Sequence, residues 1–85
     1  EKVGFKVAAA EAPYIITKPI HRSQQVMERL ADGSVILEIE VVINHELERV
    51  FFRYAEGIQV LYPKTLVELM GRKLKKAAEQ YTHSK

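Results

Sequence analysis

The chain has no cysteine. That excludes a disulfide framework, a thiolate metal site and a cysteine nucleophile, and it suits the reducing cytoplasm in which the protein is expected to work. A long apolar run is also missing. The longest, around Val41–Ile43, is far too short to span a bilayer, and nothing at the start reads as a signal peptide, so no membrane partner is expected. The four glycines never form a phosphate-cradling loop. Nor does one sign of charge dominate. The formal charge is +2, with acids and bases interspersed rather than gathered into the basic stripe of a typical nucleic-acid reader.

What is present reads as one domain over residues 1–85, small enough to bury well under ~70% of its unfolded surface. The chain opens in strand-like sequence without an initiator methionine, so it is expected to be a module of a longer protein. Val3, Phe5, Val7 and Ala9 alternate with Gly4, Lys6 and Ala8, a strand pattern. Glu11–Thr17 follows as a helix begun by Pro13 and kept short by Pro19. Gln24–Leu30 and Ser34–Ile43 read as two strands joined by Asp32-Gly33, a strong hairpin signal. Leu37, Ile39, Val41 and Ile43 share one face of the return strand.

Asn44 is placed to cap a second helix, with Glu46 and Glu48 complementing its dipole. Leu47, Val50, Phe51 and Tyr54 form its apolar stripe, and Gly57 is placed to end it. Ile58–Tyr62 is a last strand with Ile58, Val60 and Tyr62 on one face. Thr65 is placed to cap a final helix striped by Leu66, Leu69, Met70, Leu74, Ala77, Ala78 and Tyr81. Gly71 interrupts that helix, most simply for close packing against a neighbour. The order β-α-β-β-α-β-α predicts an α+β fold: the ferredoxin-like split βαβ with an additional C-terminal helix. Both internal helices then cover one sheet face. The other face is left to water or a partner, carrying Lys6, Glu38, Glu40 and Gln59 beside Ile36, Val42 and Leu61.

Signals for catalysis are poor, and the chain is not expected to be an enzyme or to hold a metal or cofactor. His21, His45 and His83 do not follow zinc-ligand spacing. Ser34 belongs to a hairpin turn rather than a nucleophile elbow. Glu38 and Glu40 on an open sheet face read as a solvated guard against edge pairing. Arg72, Lys73, Lys75, Lys76 and Lys85 are either a solvated helix face or phosphate contacts. Arg49 and Arg53, four apart, are read as pairing with Glu46, Glu48 or Glu56, or else as contacts for an anionic ligand or another domain. The run Lys18–Val26, "KPIHRSQQV", is polar where a strand should begin. His21, Arg22 and the glutamines are either a wet linker or a binding surface, Arg22 offering a planar fork for phosphate or carboxylate.

The segments "APYI", "KPIHRSQQV", "LADGSVILEIEV", "HELERVFFRYAEGIQVLYPKTL" and "KLKKAAEQY", in that order, resemble the C-terminal extension (WCX) of WYL-domain helix-turn-helix transcriptional regulators. The resemblance runs from about Val3 to Tyr81. It implies a bacterial regulator whose winged helix-turn-helix contacts promoter DNA and whose central WYL domain senses a nucleic-acid or nucleotide-like effector. Neither of those domains is in this sequence. The extension would help dimerise the protein and complete the effector site. The family's His-x-Ser-Gln strand entry falls on His21, Ser23 and Gln24, with Arg22 where relatives commonly carry proline. A basic position of the second helix falls near Arg49 and Arg53. The alternative is a free-standing ferredoxin-like module that binds a small molecule in metabolic regulation. A subunit of an enzyme would need a cleft completed by another chain.

Overall fold

The computed structural model describes residues 1–82, so His83 and Lys85 lie outside the described residues. Strand β1 (Lys2–Val7) leads into helix α1 (Ala12–Thr17), then β2 (Gln25–Arg29), β3 (Val35–Glu40), α2 (His45–Arg53), β4 (Ile58–Tyr62) and α3 (Lys64–Thr82). The sheet order is β2-β3-β1-β4, and every pairing is antiparallel. This is the expected ferredoxin-like split βαβ with a further C-terminal helix.

The alternation of β1 and β3 sorts their side chains as the pattern requires. Val3, Phe5, Val7, Val35, Leu37 and Ile39 are buried beneath the helices. Ala12 and Ile15 of α1, Leu47 and Phe51 of α2, and Leu66 and Met70 of α3 close the same core. Phe5 meets Phe51 edge-on at 5.3 Å between ring centroids. Asn44 caps α2: its Oδ1 accepts the Leu47 N–H at 2.9 Å. In the hairpin Gly33 takes φ 91°, a conformation that favours glycine. Asp32 Oδ1 accepts from the Ser34 N–H, and the Ser34 hydroxyl donates to it as well. These bonds hold the Asp32 carboxyl below its ordinary 3.8.

Several boundaries and roles differ from the sequence reading, each for a physical reason. Strand β3 stops at Glu40, and Val41–Ile43 instead lead into the Asn44 cap. Helix α2 ends at Tyr54 rather than at a left-handed Gly57. An added Cβ at Gly57 would come within 2.9 Å of the end of the Glu11 side chain, a flexible group that can move aside, so crowding does not require glycine there. Helix α3 begins at Lys64, with the Pro63 carbonyl accepting from Leu66 and Val67, so Thr65 sits inside it and is not its cap. A Cβ on Gly71 would meet nothing within 4 Å, so close packing does not account for that glycine.

A register shift against Gly4 and Phe5 carries Tyr62 to the open sheet face, away from Ile58 and Val60. There its ring lies over Gly4, leaving no room for a Cβ at that position, and its hydroxyl donates to Glu38. That bond first, then lost hydration, then the carboxylate charge raise the Tyr62 phenol above 10.0. A phenol pKa raised by folding stabilises the fold fully below pH 10.0, and the contribution is lost as pH rises through the raised value. Phenolate absorbance should therefore show one tyrosine ionising above pH 10.0, moving down toward it in Glu38→Ala. Identical titrations for the two proteins would contradict the contact.

Candidate functional site

The polar run before β2 is folded into a tight joint. The His21 carbonyl accepts from the Gln24 N–H at 3.0 Å, and His21 Nδ1 accepts from the Ser23 N–H at 3.1 Å. A backbone N–H only donates, so Nδ1 is the unprotonated ring nitrogen in this arrangement and Nε2 carries the proton. The imidazole thereby does what an asparagine side chain does in an Asx turn. Ser23 Oγ lies 2.8 Å from the same nitrogen. It also accepts from the Glu40 N–H at 2.8 Å and reaches the Glu40 carbonyl at 3.3 Å. One hydroxyl thus ties the joint to the end of β3, continuing the β2–β3 pairing through a side chain.

Gln24 completes the joint from the other side. Its Nε2 donates to the Ile15 carbonyl at 3.1 Å, and its Oε1 accepts from the Ile20 N–H at 3.0 Å. The first bond satisfies a carbonyl near the end of α1 that the short helix leaves open. Ser23 and Gln24 are therefore spent on backbone, and both are half-buried. Arg22 between them is exposed.

This joint forms one wall of a groove of about 370 Å³ lined by Ile20, His21, Val41, Val42, Asn44, Glu46, Leu47 and Val50. The opposite wall is the start of α2. Val42 is 78% exposed, an apolar side chain with no cover. Glu46 is the one charged residue in the lining. Arg49 stands on α2 next to Val50 and is exposed; Arg53, one turn further, lines a separate hollow with Glu11, Tyr54 and Glu56. Of the site residues expected from sequence, the structure places His21 in the lining of this groove; Arg22 and Arg49 are exposed sequence neighbours of lining residues outside the lining, and Arg53 belongs to another hollow.

Neither arginine of α2 makes an ion pair among the described residues, in contrast to the internal pairing expected for them. Glu48 is instead buried and takes Lys73 Nζ of α3 at 2.7 Å, with His45 Nδ1 at 3.9 Å. Among the described residues no three His, Cys, Asp or Glu side chains are grouped to hold a metal ion. No described helix is long and apolar enough to cross a membrane.

Sequence reasoning missed the groove because it read Val41 and Val42 as strand. The signal that could have found it was Asn44: a cap there turns the chain and exposes what precedes it.

A family model for the WCX domain matches residues 1–78. The chain belongs to the WCX domain family. This places it with the regulatory modules associated with WYL transcription regulators. A search of curated proteins gave no match. Within the WCX domain, the His-x-Ser-Gln entry is the joint just described, and Arg22, at its exposed position, leaves every hydrogen bond of the joint intact.

Proposed function

We propose that residues 1–85 are a single C-terminal domain of a bacterial, cytoplasmic DNA-binding regulator. It supports dimerisation and supplies one wall of an effector site completed by a WYL domain of the same chain. Promoter contact is assigned to a helix-turn-helix outside this sequence, and no catalysis to this domain. WCX membership supports the context. The observation that carries the site is the groove beneath His21, an open and mostly apolar hollow, with the exposed Arg22 and Arg49 next in sequence to residues of its lining.

In this reading a base-sized ring enters between His21, Val42 and Val50, and a phosphate meets Arg22 with Arg49 flanking. Glu46 disfavours a phosphate inside the groove itself, which leaves the phosphates to the rim. His21 presents its Nε2–H to the ligand because Nδ1 is engaged. A nucleic-acid or nucleotide-like effector fits this division of labour better than a simple anion. The groove volume is also that of a small-molecule site, which supports the second reading, a free-standing metabolite-binding module.

Anisotropy titration with a labelled single-stranded oligonucleotide tests the first reading. Arg22→Ala should weaken binding by about threefold to tenfold and lower the slope of log affinity against log salt by about 0.7. Gln24→Ala should instead cost about 1–2 kcal/mol of stability, since two backbone groups lose their partner. Unchanged affinity and slope in Arg22→Ala would return that residue to an exposed turn.

A further inference from the structure

One lone pair holds the side-chain half of the turn before β2. His21 Nδ1 accepts from the Ser23 N–H at 3.1 Å and lies 2.8 Å from Ser23 Oγ. With Nδ1 bare, that short contact requires the hydroxyl to donate to the ring, while its oxygen accepts from the Glu40 N–H at 2.8 Å. The Glu40 carbonyl, at 3.3 Å, is the other acceptor within the hydroxyl's reach. The hydroxyl hydrogen thus has two places to go, the ring or β3. Asparagine side chains close this kind of turn through their oxygen. Histidine differs in one respect: imidazole is the side chain that ordinarily gains a proton between about pH 5 and 8.

We propose that His21 is a proton-operated clasp on the groove wall. A proton taken from solvent onto Nδ1 turns that atom from acceptor to donor, and its contacts respond in opposite ways. The contact with Ser23 Oγ survives reversed: Nδ1–H donates to the oxygen, and the hydroxyl hydrogen swings to the Glu40 carbonyl. The Ser23 N–H, by contrast, now faces a second N–H, and the turn opens there. Ser23 stays tied to β3 while His21, which lines the groove, is let go. The charged groups around the ring come from four elements. Glu46 of α2 shares the groove lining, and Glu40 of β3 gives its backbone to the joint, with Lys2 of β1 opposite it. The Glu1 ammonium donates to the Val41 carbonyl, and Lys18 and Arg22 are the charges of the ring's own segment. None of them makes an ion pair with His21 among the described residues. Protonation therefore exchanges hydrogen bonds rather than breaking a charge pair. The consequence for ligand access rests on the proposed function; the clasp itself does not.

Ring and amide NMR of the 85-residue chain between about pH 8 and about pH 5 tests the clasp. At the upper end, long-range proton–nitrogen correlation should show Nδ1 bare and Nε2 protonated. On acidification the Ser23 amide should shift with the same midpoint as the His21 ring. Its protection from solvent exchange should fall about twofold to tenfold, the loss of one hydrogen bond. The Glu40 amide should keep its protection, since Ser23 Oγ still accepts from it. In His21→Asn the turn keeps an acceptor that does not titrate, so the Ser23 amide should hold both its shift and its protection across the range. A neutral ring protonated at Nδ1, or a Ser23 amide that ignores the His21 titration, would overturn the proposal. So would a Ser23 titration that persists in His21→Asn, because Glu1, Glu46 or another group would then be driving it. No ligand enters these measurements, so the clasp can fail while the groove stands, and the reverse.

Discussion

Phe51→Ala is expected to remove about 3–5 kcal/mol of stability, the range for truncating a buried phenylalanine. Phe51 is 1% exposed and meets Phe5, which is fully buried, edge-on at 5.3 Å. Removing its ring therefore leaves a cavity between α2 and β1, and the surrounding strand cannot collapse into it without breaking pairing on both sides. At roughly 0.05–0.15 kcal/mol per residue, a chain of 85 residues holds roughly 4–13 kcal/mol in all. The variant should accordingly be largely unfolded at room temperature if the total is near the low end, and should lose at least roughly a fifth of the parent's urea midpoint if it is near the high end. The groove should go with it, since α2 and its cap supply Asn44, Leu47 and Val50. A loss below about 1 kcal/mol would mean that α2 is not held to the sheet by this side chain.

Lys73→Met is expected to cost about 1–3 kcal/mol through a different mechanism. The Glu48 side chain is only 9% exposed, and Lys73 Nζ at 2.7 Å is its close cationic partner; His45 stands off at 3.9 Å with an 88% exposed side chain. Without Lys73 the carboxylate remains in the α2–α3 seam with no nearby ammonium. The cost stays at the lower end for a buried pair because the lysine itself is 40% exposed and already partly hydrated. The double variant Glu48→Leu, Lys73→Met should recover most of the loss, since an apolar pair of similar volume replaces the ions. Additive losses in the double-mutant cycle, with no recovery, would show that the two residues are not coupled.

The elements that could be read from sequence are those with local causes. Pro13 and Pro19 bound α1, Asp32-Gly33 makes the hairpin, and Asn44 caps α2; each acts within a few residues of itself. What escaped was fixed at a distance. Glu48 reads as a dipole-complementing surface acid until α3 returns 25 positions later to bury it beside Lys73. Tyr62 belongs with Ile58 and Val60 by alternation, and a register shift against β1 moves it to the other face.

The candidate site divides in the same way. His21, Ser23 and Gln24 were legible as a unit through a family resemblance, but not their role. Ser23 and Gln24 reach Glu40 and Ile15, 17 and 9 positions away, and that use of their polar atoms makes them architecture. Arg22 and Arg49 are exposed and outside the groove lining, while Arg53 lines a different hollow. The free half of α3 was visible as a stripe from the first; its exposure follows only from where β4 ends and how little of the helix the core can cover.

The most direct test of the central claim, that the groove beneath His21 is the ligand-facing side of this WCX domain, is an amide chemical-shift map of the 85-residue chain titrated with a short single-stranded oligonucleotide. The account predicts saturable shifts confined to Ile20–Arg22, Val41–Glu46 and Arg49–Val50, with the Ser23 and Gln24 amides following as the joint adjusts. Shifts confined to Arg72–Lys76 and abolished by moderate salt would instead show non-specific attraction to a basic helix, and would contradict the claim.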